Sequence, residues 1–191
     1  KSTLTNHGLT TFNRSSSHYG LSLILGGGEA RLFELCQLYR FWAQKLEPDE
    51  IKANKFDRIY NEIPQRTHLD PASIFLTFEA MAEVNRPDEE ANWLEFENGR
   101  KVAWKTGTSF GFRDAWSIGI TPDYTVAVWV GNADGEGRPG LTGTLVAAPV
   151  MFEIFSILPK DAQWFSRPEA EMLSLEICEK SGFRAGDQCE E

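Results

Sequence analysis

Between positions 102 and 130 the chain carries three strand-like runs with room between them for turns only. The first, 102–105, reads Val-Ala-Trp-Lys, and the others span 115–120 and 124–130. Thr121-Pro122-Asp123 joins the last two and has the chemistry of a tight turn. Upstream, 93–96 alternates like a further strand, and Asn98-Gly99 is a hairpin signal leading into Val102. This pattern predicts an antiparallel meander. Its run at 102–105 leads into Thr106, Gly107, Thr108 and Ser109, so a lysine is followed by three hydroxyls and a glycine. On a sheet edge such a strand offers backbone N–H and C=O groups to an extended peptide by strand addition. The lysine and hydroxyls beside that edge suit a ligand with a carboxylate.

Helical patterns flank the strands. Glu29 is expected to open a helix that buries Leu32, Leu35, Cys36, Tyr39 and Ala43, its carboxylate complementing the positive end of the dipole. Gly26-Gly27-Gly28 ahead of it reads as a turn rather than a phosphate cradle, since no Lys-Ser/Thr pair follows. Asp70-Pro71 is an N-cap with proline at the first helical position. Ile74, Phe75, Phe78, Met81 and Ala82 follow at helical spacing, up to a stop at Asn85-Arg86-Pro87. Residues 146–158 are apolar and helix-like, with Pro149 in the first turn, and are expected to pack across the sheet. Residues 45–70 read as a long irregular connection holding His68, a solvated loop histidine, and 131–143 as a glycine-rich loop. Asp88-Glu89-Glu90 is an acidic surface turn without the further ligands a metal needs. Helices first, then strands and a closing helix, argue an α+β fold with an antiparallel sheet covered by helices.

Composition narrows the classes further. The 191 residues allow one domain of good size or one and a half. Hydrophobic residues at 41% and aromatic ones at 12% suit a packed core. A net charge of −9 argues against a phosphate-contacting face, so nucleic acid is not an expected partner. No run approaches the ~18 apolar residues of a membrane span. Of the three cysteines, Cys178 and Cys189 are disulfide candidates in a polar tail, and Cys36 reads as a small buried hydrophobe. Three unpaired thiols in a cytosolic protein are the alternative. A P-loop spacing ends at Trp104-Lys105-Thr106, but Trp104 stands where a glycine must wrap phosphate, and a strand follows instead of a helix. No cofactor is expected.

Lys105-Thr106-Gly107-Thr108 matches the Lys-Thr-Gly signature of penicillin-binding proteins and serine β-lactamases. Three longer runs are more specific: 105–116, 128–137 (Val-Trp-Val-Gly-Asn-Ala-Asp-Gly-Glu-Gly) and 19–29 (Tyr-Gly-Leu-Ser-Leu-Ile-Leu-Gly-Gly-Gly-Glu). Together they resemble the transpeptidase domain of class A penicillin-binding proteins, most like the penicillin-binding protein 1C group, from about Tyr19 to Pro159. The tail from Cys178 to Cys189 is similar to the segment that follows that domain. The resemblance implies a partial transpeptidase (serine β-lactamase-like) fold. It divides the chain into 1–18, a remnant of the upstream part of the domain, 19–163, its C-terminal portion, and 164–191, the start of an appendage.

One departure bears directly on activity. The family needs Ser-x-x-Lys and Ser-x-Asn, and no serine here has a lysine three residues on or an asparagine two residues on. In the family both motifs lie upstream of the Tyr-Gly-Leu-Ser run, so the chain is expected to begin inside a larger protein and to lack the nucleophile. By the resemblance, Lys105 is the catalytic residue, joining a proton-transfer network with the absent serine and lysine. Thr106, Gly107, Thr108 and Ser109 bind substrate. The Thr108 N–H forms half of an oxyanion hole. Peptidoglycan stem peptides, β-lactams and the upstream part of the same polypeptide are the implied partners. The implied location is the periplasmic or extracytoplasmic face of the inner membrane, through an N-terminal anchor that precedes a glycosyltransferase. A non-catalytic peptide-binding module and a serine β-lactamase are the alternatives. Arg113-Asp114 reads as a salt-bridged hairpin end, and Trp104, Trp116 and Trp129 as core and sheet packing.

Overall fold

The structure, a computed structural model, describes residues 1–47, 69–83, 100–159 and 163–186. The expected strand at 93–96, the Asn98-Gly99 turn, Asn85-Arg86-Pro87, the acidic turn, His68 and Cys189 lie outside the described residues.

An antiparallel sheet of three strands stands at the centre: β1 (Ala103–Thr108), β2 (Asp114–Ile120) and β3 (Thr125–Gly131), in the order β1-β2-β3. The Thr121-Pro122-Asp123 turn forms as its chemistry demands. The Thr121 N–H donates to the Tyr124 C=O at 2.9 Å, and the Tyr124 N–H returns a bond to the Thr121 hydroxyl at 3.1 Å. β1 runs three residues past Lys105, so the whole Lys-Thr-Gly-Thr run lies within the ladder.

Register sorts the side chains onto two faces, because partners across an antiparallel ladder share a face and neighbours along a strand do not. Ala103, Ile118 and Ile120 fall on one face, and Val102, Trp104, Ala115 and Val128 on the other. Helices cover both, so the fold is α+β with a helix-covered antiparallel sheet, as the element order led one to expect. Against the first face lie α3 (Leu32–Leu46) and α4 (Pro71–Ala82), which contribute Ala43, Leu46, Ile74, Phe75, Phe78 and Met81 to a common core. Each fully buried large side chain of this kind contributes about 1.5–3 kcal/mol. The Asp70 carboxylate caps α4 by accepting the Ser73 N–H at 2.7 Å, and Pro71 occupies the first turn, where a missing N–H costs nothing. On the second face α5 (Ala148–Ile157), entered through a π-helical turn over Gly143–Ala147, packs Met151, Phe152 and Phe155.

The chain ahead of α3 departs from expectation. Two short helices, α1 (Ser2–Asn6) and α2 (Ser16–Tyr19), lead into a 3-10 turn over Gly20–Leu25. Glu29 does not open α3: the N-cap is Arg31, and the acid in the first turn is Glu34. Glu34 is buried, and its carboxylate accepts both the Thr10 N–H (3.1 Å) and the Thr10 hydroxyl (2.5 Å). Leu9 and Phe12 are buried beside it against Leu38. The polar N-terminal stretch is therefore tied to α3. Cys36 is half-buried with its thiol directed at the Thr125 C=O, 3.8 Å away; burial pushes that thiol up, and the Arg40 charge partly opposes it.

Residues beyond 163 return to the core. Phe165 is buried against Phe78, with ring centroids 5.3 Å apart, and the Trp164 indole N–H donates to Glu79. The same carboxylate accepts from Lys101 Nζ at 2.7 Å, and that ammonium lies 4.4 Å from the centre of the Trp164 ring. Among the described residues no helix is long and apolar enough to cross a membrane, and no cluster of three or more His, Cys, Asp or Glu could hold a metal ion.

Candidate functional site

Which backbone groups β1 presents at its edge follows from one hydrogen bond. The Ser109 N–H donates to the Asp114 C=O at 3.0 Å, so the 109/114 pair is a bonded pair of the ladder. Bonded and non-bonded pairs alternate in an antiparallel ladder. Gly107 and Lys105 therefore point their N–H and C=O at β2, whereas Thr106 and Thr108, opposite Ser117 and Ala115, turn theirs away from it. Among the described residues the sheet ends at this edge. The Lys105 ammonium reaches the same edge, donating to the Thr106 C=O at 2.5 Å.

Side chains alternate the other way. Lys105 and Gly107 share the face of Trp116 and Ile118, and Thr106 and Thr108 lie on the α5 side. The Thr108 hydroxyl accepts the Gly143 N–H at 3.0 Å, which ties the end of β1 to the turn that starts α5. The Ser109 hydroxyl accepts the Asp114 N–H at 2.9 Å and so closes the β1–β2 turn. In that turn Gly111 and Phe112 adopt left-handed backbone, with φ of 77° and 55°. For a residue as bulky as phenylalanine this is strained. The Phe112 C=O in turn accepts the Arg138 N–H at 3.0 Å, which lays the glycine-rich loop over the turn.

All five residues from Lys105 to Ser109 line one cleft of about 600 Å³. Asp114, Trp116 and Ile118 extend their wall along β2. Two of the tryptophans thus differ from the expectation of plain packing. Trp104 is core, its ring 5.2 Å from that of Phe152, but Trp116 faces the cleft, and the exposed Trp129 indole N–H donates to Asp114 at 2.9 Å. The expected Arg113–Asp114 ion pair does not form; the indole donor occupies that carboxylate instead, because Trp129 lies opposite Trp116 on the face where Asp114 projects.

The other wall comes from the run ahead of α3, whose glycines read as a turn. Leu23, Ile24, Leu25, Gly26, Gly28 and Glu29 line it, with Leu9 and Phe12 behind. Gly26 ends the 3-10 turn with φ of 89°, a conformation that favours glycine. A Cβ on Gly28 would lie 2.4 Å from the Phe12 ring, so close packing requires glycine there as well. Only tertiary contact could have revealed this wall, since no chemical signal marks it in the sequence beyond the resemblance of the run at 19–29.

An antiparallel sheet between helices, with a Lys-Thr-Gly-Thr edge strand lining a cleft, is what the transpeptidase region of class A penicillin-binding proteins was expected to show. The relatives agree: the chain is similar to penicillin-binding proteins over most of its length. Penicillin-binding protein 1C of Escherichia coli (strain K12) is 29% identical over 155 residues, which cover 81% of this chain and 19% of that protein. Penicillin-binding protein 1A of Neisseria gonorrhoeae is 26% identical over 183 residues, 85% of this chain and 22% of that protein. The chain thus spans about a fifth of the length of the curated relatives it matches. No family model matches it.

Proposed function

We propose that these residues form the peptide-binding wall of a serine D,D-transpeptidase that crosslinks peptidoglycan stem peptides and is acylated by β-lactams. The observation that carries the reading is the edge of β1. Thr106 and Thr108 turn N–H and C=O outward there, and the Lys105 ammonium stands at the same edge. A stem peptide laid along this edge gains main-chain hydrogen bonds, and its C-terminal carboxylate gains a cation and hydroxyls. The outward N–H of Thr108 is then available as one donor of an oxyanion hole, an interaction whose removal typically costs about 2.7–4 kcal/mol of transition-state stabilisation. Among the described residues a Cβ on Gly107 would meet only Trp116, at an ordinary 3.6 Å, so their packing does not require glycine there. That leaves close approach of a ligand as its purpose.

The chemistry needs a nucleophile that no Ser-x-x-Lys in these 191 residues supplies. The serine of the parent protein attacks the D-Ala-D-Ala bond, forms an acyl-enzyme and passes the acyl group to an amine of a neighbouring stem. On this reading the parent is a membrane-anchored enzyme working outside the cytoplasm and also carries a glycosyltransferase, and these residues alone are inactive.

Two measurements test the reading. Incubated with labelled penicillin, the 191-residue chain forms no covalent adduct; an adduct overturns the absent-nucleophile claim. Lys105→Ala weakens binding of a synthetic peptide ending in D-Ala-D-Ala by about tenfold or more, the scale of a hydrogen bond to a charged group. Unchanged affinity would remove Lys105 from the site.

A further inference from the structure

Past Met172 the chain leaves the core as a two-stranded hairpin. Met172 has extended backbone, with ψ of 142°, and packs against the core formed by α3, α4 and the sheet. Ile177 then bridges Arg184 in antiparallel fashion. The Cys178 N–H donates to the Phe183 C=O and the Ala185 N–H to the Glu176 C=O, each at 2.8 Å. These bonds flank the 177/184 pair, so Ile177 belongs to a non-bonded pair and turns its own N–H and C=O away from the hairpin. In a continued strand Leu175 and Leu173, at two-residue intervals, turn theirs the same way. Among the described residues no backbone bond reaches this outer edge. The side chains of Leu173, Leu175 and Ile177 are exposed as well. The stretch also lacks the lysine or proline with which edge strands ordinarily block pairing.

We infer that this edge pairs with the same edge of a second copy of the chain, antiparallel and centred on Leu175. Across the two-fold axis Leu175 meets Leu175, Leu173 meets Ile177, and Ser174 meets Glu176. In this register every outward backbone group of the stretch finds a partner, and the apolar side chains of both copies share one face. Charge selects it over its neighbours. Centred one residue later, the pairing sets Glu176 against Glu176, like charges directly opposite. Centred one residue earlier, it sets Ile177 against Glu171, which belongs to the 3-10 turn over Glu169–Glu171 rather than to an extended strand. Two hairpins so joined form a sheet of four strands, whereas a lone two-stranded hairpin is marginal in water. The contact is small beside the ~1,200 Å² at which standard interfaces begin, so association is weak and reversible. No residue of the cleft takes part, and the pairing is independent of the function proposed above.

Sedimentation equilibrium of the 191-residue chain tests this. The mass is expected to rise from one copy towards two between micromolar and millimolar concentration. Leu175→Pro removes an N–H that the hairpin does not use and blocks the central pair. It is expected to leave a single copy throughout, with the urea midpoint unchanged. Ser174→Lys sets a cation opposite Glu176 in both halves of the pair and is expected to tighten association about two- to tenfold; Ser174→Glu is expected to weaken it by a similar factor. A single copy at every concentration overturns the inference. So does a dimer that survives L175P, which would lie on another surface, or one that responds alike to S174K and S174E, which would pair in another register.

Discussion

The Gly143 N–H donates to the Thr108 hydroxyl at 3.0 Å, so the last residue of the edge strand is held by the first residue of the π-helical turn. The approach is close. A Cβ on Gly143 would lie 2.5 Å from the Trp116 C=O and 2.6 Å from the Gly107 C=O, both rigid backbone within the sheet. Gly143→Ala is therefore expected to push the turn off β1 and to cost about 1–3 kcal/mol, read as a lower urea midpoint at unchanged slope. Thr108→Val removes only the acceptor and is expected to cost about 0.5–1.5 kcal/mol. A Gly143→Ala midpoint equal to that of the unaltered chain would show that the turn does not press on the strand.

Gly119 sets a second tight approach, away from the cleft. A Cβ there would lie 2.5 Å from the Phe155 ring and 2.8 Å from the Met151 sulfur, and both of those side chains are buried. Gly119→Ala is expected to lower stability by about 1–3 kcal/mol through overpacking between sheet and α5. Affinity for a peptide ending in D-Ala-D-Ala should stay the same at temperatures where the variant is folded, which separates packing from site.

Phe165 is the anchor of the segment beyond 163, buried against Phe78. Phe165→Ala is expected to cost about 3–5 kcal/mol, as an emptied aromatic site in a core does. A cost below about 1 kcal/mol in chemical denaturation would mean that this segment does not stabilise the core.

The Asp70 cap makes an acid-side prediction. The Ser73 N–H, then the Ser73 side chain and the Lys45 charge, hold the Asp70 carboxyl below its ordinary range. A lowered pKa in the folded state means that the group stabilises the fold at pH above the ordinary carboxylate pKa of about 3.9 and loses that contribution as pH falls through the depressed value. Asp70→Asn keeps an N-cap acceptor but does not titrate. Between pH 5 and 2 the melting temperature of this variant is expected to fall less steeply than that of the unaltered chain; parallel slopes would remove Asp70 from the acid response.

Much of the fold was legible because its signals are local. Asp70-Pro71 specifies a helix start by its own cap chemistry, and Ile74, Phe75, Phe78, Met81 and Ala82 are all buried as their spacing requires. Thr121-Pro122-Asp123 closes its turn with bonds inside four residues. The start of α3 was misread for an equally physical reason. Glu29 has the chemistry of a first-turn acid, but the Thr11 hydroxyl holds its C=O, and the helix begins beyond it, at Leu32.

By itself the sequence determined the three strands of the sheet, the Thr121-Pro122-Asp123 turn, the apolar face of α4 and the Lys-Thr-Gly-Thr signature, since each depends on residues adjacent or one turn apart. On α3, by contrast, Leu32, Leu35, Cys36 and Tyr39 are only half-buried, and Glu34, Gln37, Leu38 and Leu46 are buried beside Ala43. What faces that signature was decided by tertiary structure alone. The bonds from Thr10 to Glu34 and the packing of Phe12 on Gly28 swing the 3-10 turn and Glu29 across from β1. Register likewise gave Asp114 to Trp129 rather than to Arg113 beside it. A pattern read along the chain records which face a residue prefers, but the partner on that face comes from distant segments brought together by burial of the core between them.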